Sequence, residues 1–278
     1  MRIVTTPAAA REALASMPKP VGLVPTMGFL HEGHLSLVRR CRGENATAVV
    51  SIFVNPLQFG PREDLSSYPR DLVRDQDLLE RLETDLVFAP DASAMYPSDA
   101  STFVEETRLS ADLCGAARPG HFRGVCTVVL KLFHIVQPQR AYFGEKDFQQ
   151  LQVIRRMVRD LDVPVEVVGC PLVREADGLA LSSRNVYLSP EDRLRARALS
   201  RSLAHARDLV ARGERDARAL QREVEAFLRR DPALELDYVA VKKADTLEDA
   251  DSLEGRILVA LAARVGKTRL IDNSVLEV

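Results

Sequence analysis

Short apolar runs alternate with stretches of helical period through the first two thirds of the chain. Val21-Gly22-Leu23-Val24 has the character of a short buried strand ending at Pro25, and a helix pattern starts near His34 and runs through Leu35, Leu37 and Val38. Ala48 to Val54 is almost continuously apolar, as expected of a central parallel strand covered on both faces. Asp71 to Leu82 predicts a helix, Leu86 to Phe88 a strand, and Val125 to Val136 a strongly apolar helix stopped before Pro138. Arg140 to Phe143 (strand), Phe148 to Leu161 (helix) and Val165 to Val168 (strand) continue the alternation. Such alternation implies crossover units and a parallel sheet with helices on both faces.

The texture changes after Asn185. Two charged amphipathic helices are predicted, Pro190 to Arg212 and Ala217 to Arg230. Strands over Glu235 to Lys242, Arg256 to Ala262 and Thr268 to Asp272 follow them. Helices followed by a run of strands read as a smaller α+β domain. The boundary is expected between Leu172 and Asn185, giving domains 1–175 and 176–278.

Composition narrows the function classes. The chain has 278 residues, 46% apolar and 28% charged, with a formal net charge of −2. No basic excess favours nucleic acid or a membrane surface, and acids interleave the arginines between Arg193 and Arg230. Cys41, Cys114, Cys126 and Cys170 show no Cys-x-x-Cys pair and read as buried thiols of a reducing compartment. No secretory leader or membrane-spanning run is visible, so a cytoplasmic location is expected.

Candidate chemistry sits where strands run into helices. Pro25-Thr26-Met27-Gly28-Phe29-Leu30-His31-Glu32-Gly33-His34 follows the first apolar strand. A helix N-terminus there is expected to offer free N–H groups to phosphate, Gly28 and Gly33 to admit a ligand closely, and His31 and His34 to share one helical face. Two imidazoles on one face can donate to oxygens whose charge grows during phosphoryl or nucleotidyl transfer. Zinc is the rival chemistry, but the histidines lack the four-residue protease spacing and no third ligand stands nearby. Asn55 and Gln58 follow the second long strand, where neutral amides can orient a small polar substrate; turn formation by Asn-Pro explains Asn55 but not Gln58. Gly144-Glu145-Lys146-Asp147 precedes another helix, with Gln150 one turn beyond Lys146. A cation at a helix start opposes the dipole, which argues for a bound anion. Leu181-Ser182-Ser183-Arg184 offers two hydroxyls and a guanidinium able to clamp phosphates. Val265-Gly266-Lys267-Thr268 only imitates the end of a phosphate-binding loop and is expected to be a hairpin turn.

Taken in order, these segments resemble the pantothenate synthetase family of the nucleotidyltransferase superfamily. Phe53 to Phe59, Tyr68-Pro69-Arg70, Pro119 to Val125, Gly144 to Asp147 and Ser182 to Asn185 add specificity. Leu181 stands where the family usually has Met, a volume-conserving exchange. The resemblance implies a Rossmann-like parallel-sheet domain with a smaller C-terminal α+β domain closing over the site. It also implies ATP-dependent condensation of (R)-pantoate with β-alanine through a pantoyl adenylate, releasing AMP and pyrophosphate. By resemblance, His31, His34, Lys146 and Arg184 act on the phosphates. Met27, Gly28, Gly33, Gly144, Glu145, Asp147, Val173, Leu181, Ser182 and Ser183 line the nucleotide pocket. Gln58, Gln150 and Asn55 hold pantoate, and Gln58 also meets β-alanine. Magnesium accompanies ATP with no protein ligand assigned, and a homodimer is expected. The rivals are an enzyme that only transfers a nucleotidyl group, such as a phosphopantetheine adenylyltransferase, a fragment of a tRNA synthetase, and a catalytically silent nucleotide sensor.

Overall fold

A computed structural model of the chain describes residues 1–61 and 63–278. In chain order the elements are β1 (Arg2–Val4), α1 (Pro7–Ala15), β2 (Val21–Thr26), α2 (Glu32–Glu44), β3 (Thr47–Ile52), α3 (Leu72–Arg81) and β4 (Leu86–Phe88). Then come α4 (Ala92–Met95), α5 (Cys114–Ala117), α6 (His121–Val136), β5 (Arg140–Gly144), α7 (Phe148–Asp160) and β6 (Glu166–Cys170). The last elements are α8 (Pro190–Ala211), α9 (Ala217–Leu228), β7 (Leu234–Lys243), β8 (Arg256–Val265) and β9 (Thr268–Glu277).

β1 to β6 form a parallel sheet in the order β1-β4-β3-β2-β5-β6. Val24, Val50, Val87 and Tyr142 of its strands pack with Leu35, Val38 and Cys41 of α2 and Leu79 of α3. β1 and α1 have no counterpart in the apolar pattern, because β1 is a three-residue edge strand and α1 is mostly alanine. The structure corrects the end of the first strand. β2 runs through Pro25 to Thr26, where Pro25 lies opposite Ser51 of β3. A proline is tolerated because β5 pairs with β2 only at Gly22 and Leu23, so no ladder bond needs the missing N–H.

α6 begins at His121, four residues before the predicted start, behind the left-handed Gly120. Ser189 caps α8 by accepting from Asp192 N–H, with Pro190 in the first turn. β7, β8 and β9 form an antiparallel sheet. Its Val239, Val259, Leu261 and Leu270 pack with Leu199 and Leu203 of α8 and Leu220 and Val224 of α9. The turn at Gly266-Lys267 joins β8 to β9 with Val265 opposite Thr268, so this segment is the expected hairpin and no phosphate loop.

The chain divides into two compact units. The first comprises Met1–Glu145 with Gln150–Pro171, and the second comprises Lys146–Gln149 with Leu172–Val278. The division falls at 171/172 where the sequence pattern places it at 175/176, and the short segment carrying Lys146 groups with the C-terminal unit.

Candidate active site

β3, β2 and β5 are neighbours in the sheet, and each carries one motif at its carboxyl end. β3 leads to Asn55 and Gln58, β2 to Met27 through His34, and β5 to Gly144 and Glu145. The order reverses between β2 and β5, which is the switch point where open parallel sheets bind ligands.

The turn after β2 is held from two sides. Thr26 Oγ1 donates to Ser51 O at 2.8 Å and accepts from Gly28 N–H at 3.3 Å. Gly28 has φ +84°, and a Cβ there would lie 3.0 Å from Ile52 Cγ2 and 3.1 Å from Asp75 Oδ2. Phe29 N–H and Leu30 N–H each donate to Asp75 at 2.7 Å, one to each carboxylate oxygen. Asp75 lies on α3 and is 1% exposed. Burial pushes its carboxyl above the ordinary value, with the two backbone donors opposing that shift.

His31 is the N-cap of α2, and its ring lies 4.0 Å from that of His34, centroid to centroid. His31 N–H donates to His34 Nδ1 at 3.4 Å. An Nδ1 that accepts leaves the imidazole proton on Nε2, so neutral His34 presents an Nε2–H donor. His34 N–H donates to His31 O at 2.8 Å. In this turn the N–H groups of Phe29, Leu30, His31 and His34 are engaged within the chain. Glu32 forms two hydrogen bonds to Arg39 along α2 and is exposed.

Asn55 and Gln58 bracket a short 3₁₀ turn, Pro56–Gln58. Asn55 is 1% exposed and its amide is fully used. Its Nδ2 donates to Gln58 Oε1 and Gly124 O, both at 3.1 Å, and its Oδ1 accepts from Tyr96 O–H at 2.8 Å and Leu57 N–H at 3.3 Å. That fixes the Gln58 amide with Nε2 donating to Met27 Sδ at 3.1 Å. Gln58 O accepts from His121 Nδ1 at 2.9 Å and Arg118 Nη2 at 3.3 Å. Arg118 also makes two 2.7 Å bonds to Glu63. Burial pushes the Glu63 carboxyl up, but the bonds and charge of Arg118 outweigh it and hold the group below its ordinary value. Gly124 is required by close approach, since a Cβ would lie 2.3 Å from Leu57 O. Gln150 is half-buried on α7.

In the second unit, Lys146 is 21% exposed, with its Nζ 3.8 Å from Asp147. Asn273 Nδ2 holds its carbonyl at 2.9 Å. Val173 and Leu181 are joined by a 3.1 Å backbone bond at the base of a small ribbon. The ribbon is pinned by Arg174 to Asp272 and by Arg193 to Glu175 and Asp177. Ser182 accepts from Arg184 N–H, and Ser183 is buried. Among the described residues no group of three or more His, Cys, Asp or Glu is arranged to hold a metal. No helix among them is long and apolar enough to cross a membrane.

Sequence reasoning missed Asp75, Tyr96 and Glu63, and gave no role to Arg118, His121 or Gly124. Asp75 left a signal: it lies four residues before Leu79, on the face that α3 buries.

The model of the pantoate-beta-alanine ligase family matches residues 2–275. The chain belongs to that family. The ligase is 57% identical over 265 residues to a pantothenate synthetase from Thermotoga petrophila, covering 95% of both chains. Its fold is similar to the crystal structure of a pantothenate synthetase from Thermus thermophilus, with a TM-score of 0.95, 53% identity and 99% of each chain covered. It is also similar to the Francisella tularensis pantoate-beta-alanine ligase complexed with beta-gamma ATP and beta-alanine. There the TM-score is 0.81 and the identity 34%, covering 99% of this ligase and 97% of that chain.

Proposed function

We propose that the ligase condenses (R)-pantoate with β-alanine in two steps at the carboxyl ends of β3, β2 and β5. The observation that carries this reading is the three adjacent strands ending in an amide pair, a histidine pair and the Gly144-Glu145 end of β5. In the first step a pantoate carboxylate oxygen attacks the α-phosphorus of ATP, and pyrophosphate leaves with the electron pair of the broken P–O bond. In the second step the free amine of β-alanine attacks the acyl carbon, AMP leaves, and the amine loses a proton.

The residues supply position and charge, which suffices for phosphoryl chemistry. His34 donates Nε2–H to a phosphate oxygen as charge builds, with His31 stacked beside it. Lys146 and Arg184 neutralise the transferring phosphates. Gln58 Nε2 and Gln150 orient pantoate, Gln58 also meets β-alanine, and Asn55 serves by fixing the Gln58 amide. Met27, Gly28, Gly33, Gly144, Glu145, Asp147, Val173, Leu181, Ser182 and Ser183 form the nucleotide's surroundings. Among the described residues no carboxylate cluster would hold magnesium, so it would enter on the nucleotide, where it would spread the charge of the polyphosphate. By resemblance to the family, the same reading carries a homodimer and a cytoplasmic location, and light scattering on the purified chain checks the first.

A discontinuous assay for pyrophosphate and AMP tests the reading. Pyrophosphate should appear only with pantoate, and free AMP should accumulate only when β-alanine is added. Pyrophosphate release without pantoate, or a lasting adenylylated product, would favour a simple nucleotidyltransferase.

A further inference from the structure

We propose that Asp75 is a positioning residue for the adenylation step, acting on His31 and His34 through the backbone of Phe29 and Leu30; the proposal rests on the reading above. Its carboxylate is almost wholly enclosed and accepts one short bond from each of two consecutive N–H groups, at 2.7 Å. Both donors lie in the turn between Gly28, whose φ is +84°, and His31, the N-cap of α2. Such a turn has few internal restraints, and a bidentate, charge-assisted grip fixes both its peptide planes. Arg74, the preceding residue of α3, completes the clamp: its Nη1 is 3.4 Å from Asp75 Oδ1, and its guanidinium lies 5.0 Å from the centre of the Phe29 ring. One turn of α3 thus grips the loop by side chain and main chain.

The arrangement costs something to keep, since a buried carboxylate loses hydration. A residue needed only for packing could be apolar. Asp75 instead sets where the imidazoles stand relative to the end of β2. Misplacing a reacting group by about 1 Å costs on the order of 100-fold in rate. The loop serves the phosphates, so its displacement should slow pyrophosphate release and spare the attack of β-alanine on adenylate already formed.

Single-turnover measurements of the two half-reactions test this in Asp75→Asn, with Asp85→Asn as a control. Asp85 also accepts a backbone N–H, from Ala48 at 2.7 Å, and pairs with Arg42, but lies at the opposite end of β3. Asn at 75 keeps one acceptor and sets an NH₂ against a backbone N–H. The expected result is a 10- to 100-fold loss (on the order given by misplacement) in pantoate-dependent pyrophosphate release, with the aminolysis rate within about threefold of wild type. Asp85→Asn should lower Tm and leave the ratio of the two rates as in wild type. Equal loss in both half-reactions, or no loss in the first, overturns the proposal. Should Asp75→Asn fail to fold, Arg74→Ala decides. Its side chain is 45% exposed, and it should slow the first half-reaction selectively; an unchanged ratio overturns the proposal. A wild-type chain that releases no pantoate-dependent pyrophosphate refutes the underlying reading instead.

Discussion

At the scale of single residues, the site is built from groups whose partners decide what they can do. His34 is committed to one tautomer by the His31 N–H, and so offers a hydrogen-bond donor in its neutral form. His34→Ala should lower kcat by about 100- to 1,000-fold, the range for removing one donor aimed at developing charge. ATP affinity, measured by calorimetry, should change little, because the donor acts on the transition state more than on the bound nucleotide. An unchanged rate would remove His34 from the mechanism. The histidines were legible because glycines and a strand-to-helix junction surround them. The engagement of the backbone just before them, at Phe29 and Leu30, was not legible, because the acceptor, Asp75, is far away in sequence and looks like one more acid on a charged helix.

At the scale of elements, α6 and the turn that carries Gln58 are fitted backbone to backbone. Adding a methyl group at Gly124 would ordinarily stabilise a helix by up to about 1 kcal/mol. Here that Cβ would lie 2.3 Å from Leu57 O and 2.6 Å from Gln58 N. These are main-chain atoms that cannot rotate away, so the clash wins and costs about 1–3 kcal/mol. Gly124→Ala should raise the KM for pantoate more than it lowers kcat, and steady-state kinetics over a range of pantoate concentrations check this. Apolar periodicity found β3, β4, β5 and α7 within a residue or two of where they lie, since each buries a full stripe or both faces. It stopped β2 at Val24, two residues early, because the pattern cannot say which strand edge needs an N–H. It passed over the start of α6, where His121 and Gly124 meet the Gln58 turn and Phe122 is buried, instead of forming a regular stripe.

At the scale of the whole molecule, stability should respond to acid through Glu63. Its folded pKa lies below the ordinary 4.5. The folded state therefore binds the proton less tightly than the unfolded chain. The stabilisation is full above about pH 4.5 and is lost as pH falls through the lowered value. Glu63→Gln should have a lower Tm than wild type at neutral pH and a shallower decline from about pH 5 to 3, with the two curves converging in acid. Parallel curves would show that Arg118 does not depend on that charge. Asp75 has the opposite sign. Its raised carboxyl holds the proton more tightly when folded, so its contribution declines as pH rises above the ordinary 3.8.

In the turn after β2, the N–H groups of Phe29 and Leu30 are committed to Asp75 and those of His31 and His34 to the histidine pair. Nucleotide sites that cradle phosphate in backbone amides can hardly be retuned by substitution, because every residue brings the same N–H. On the proposed reading the task falls instead to imidazole, ammonium and guanidinium groups, which gives one adjustable part per contact. Variation can therefore trade nucleotide affinity against turnover one side chain at a time, while the loop beneath stays as it is.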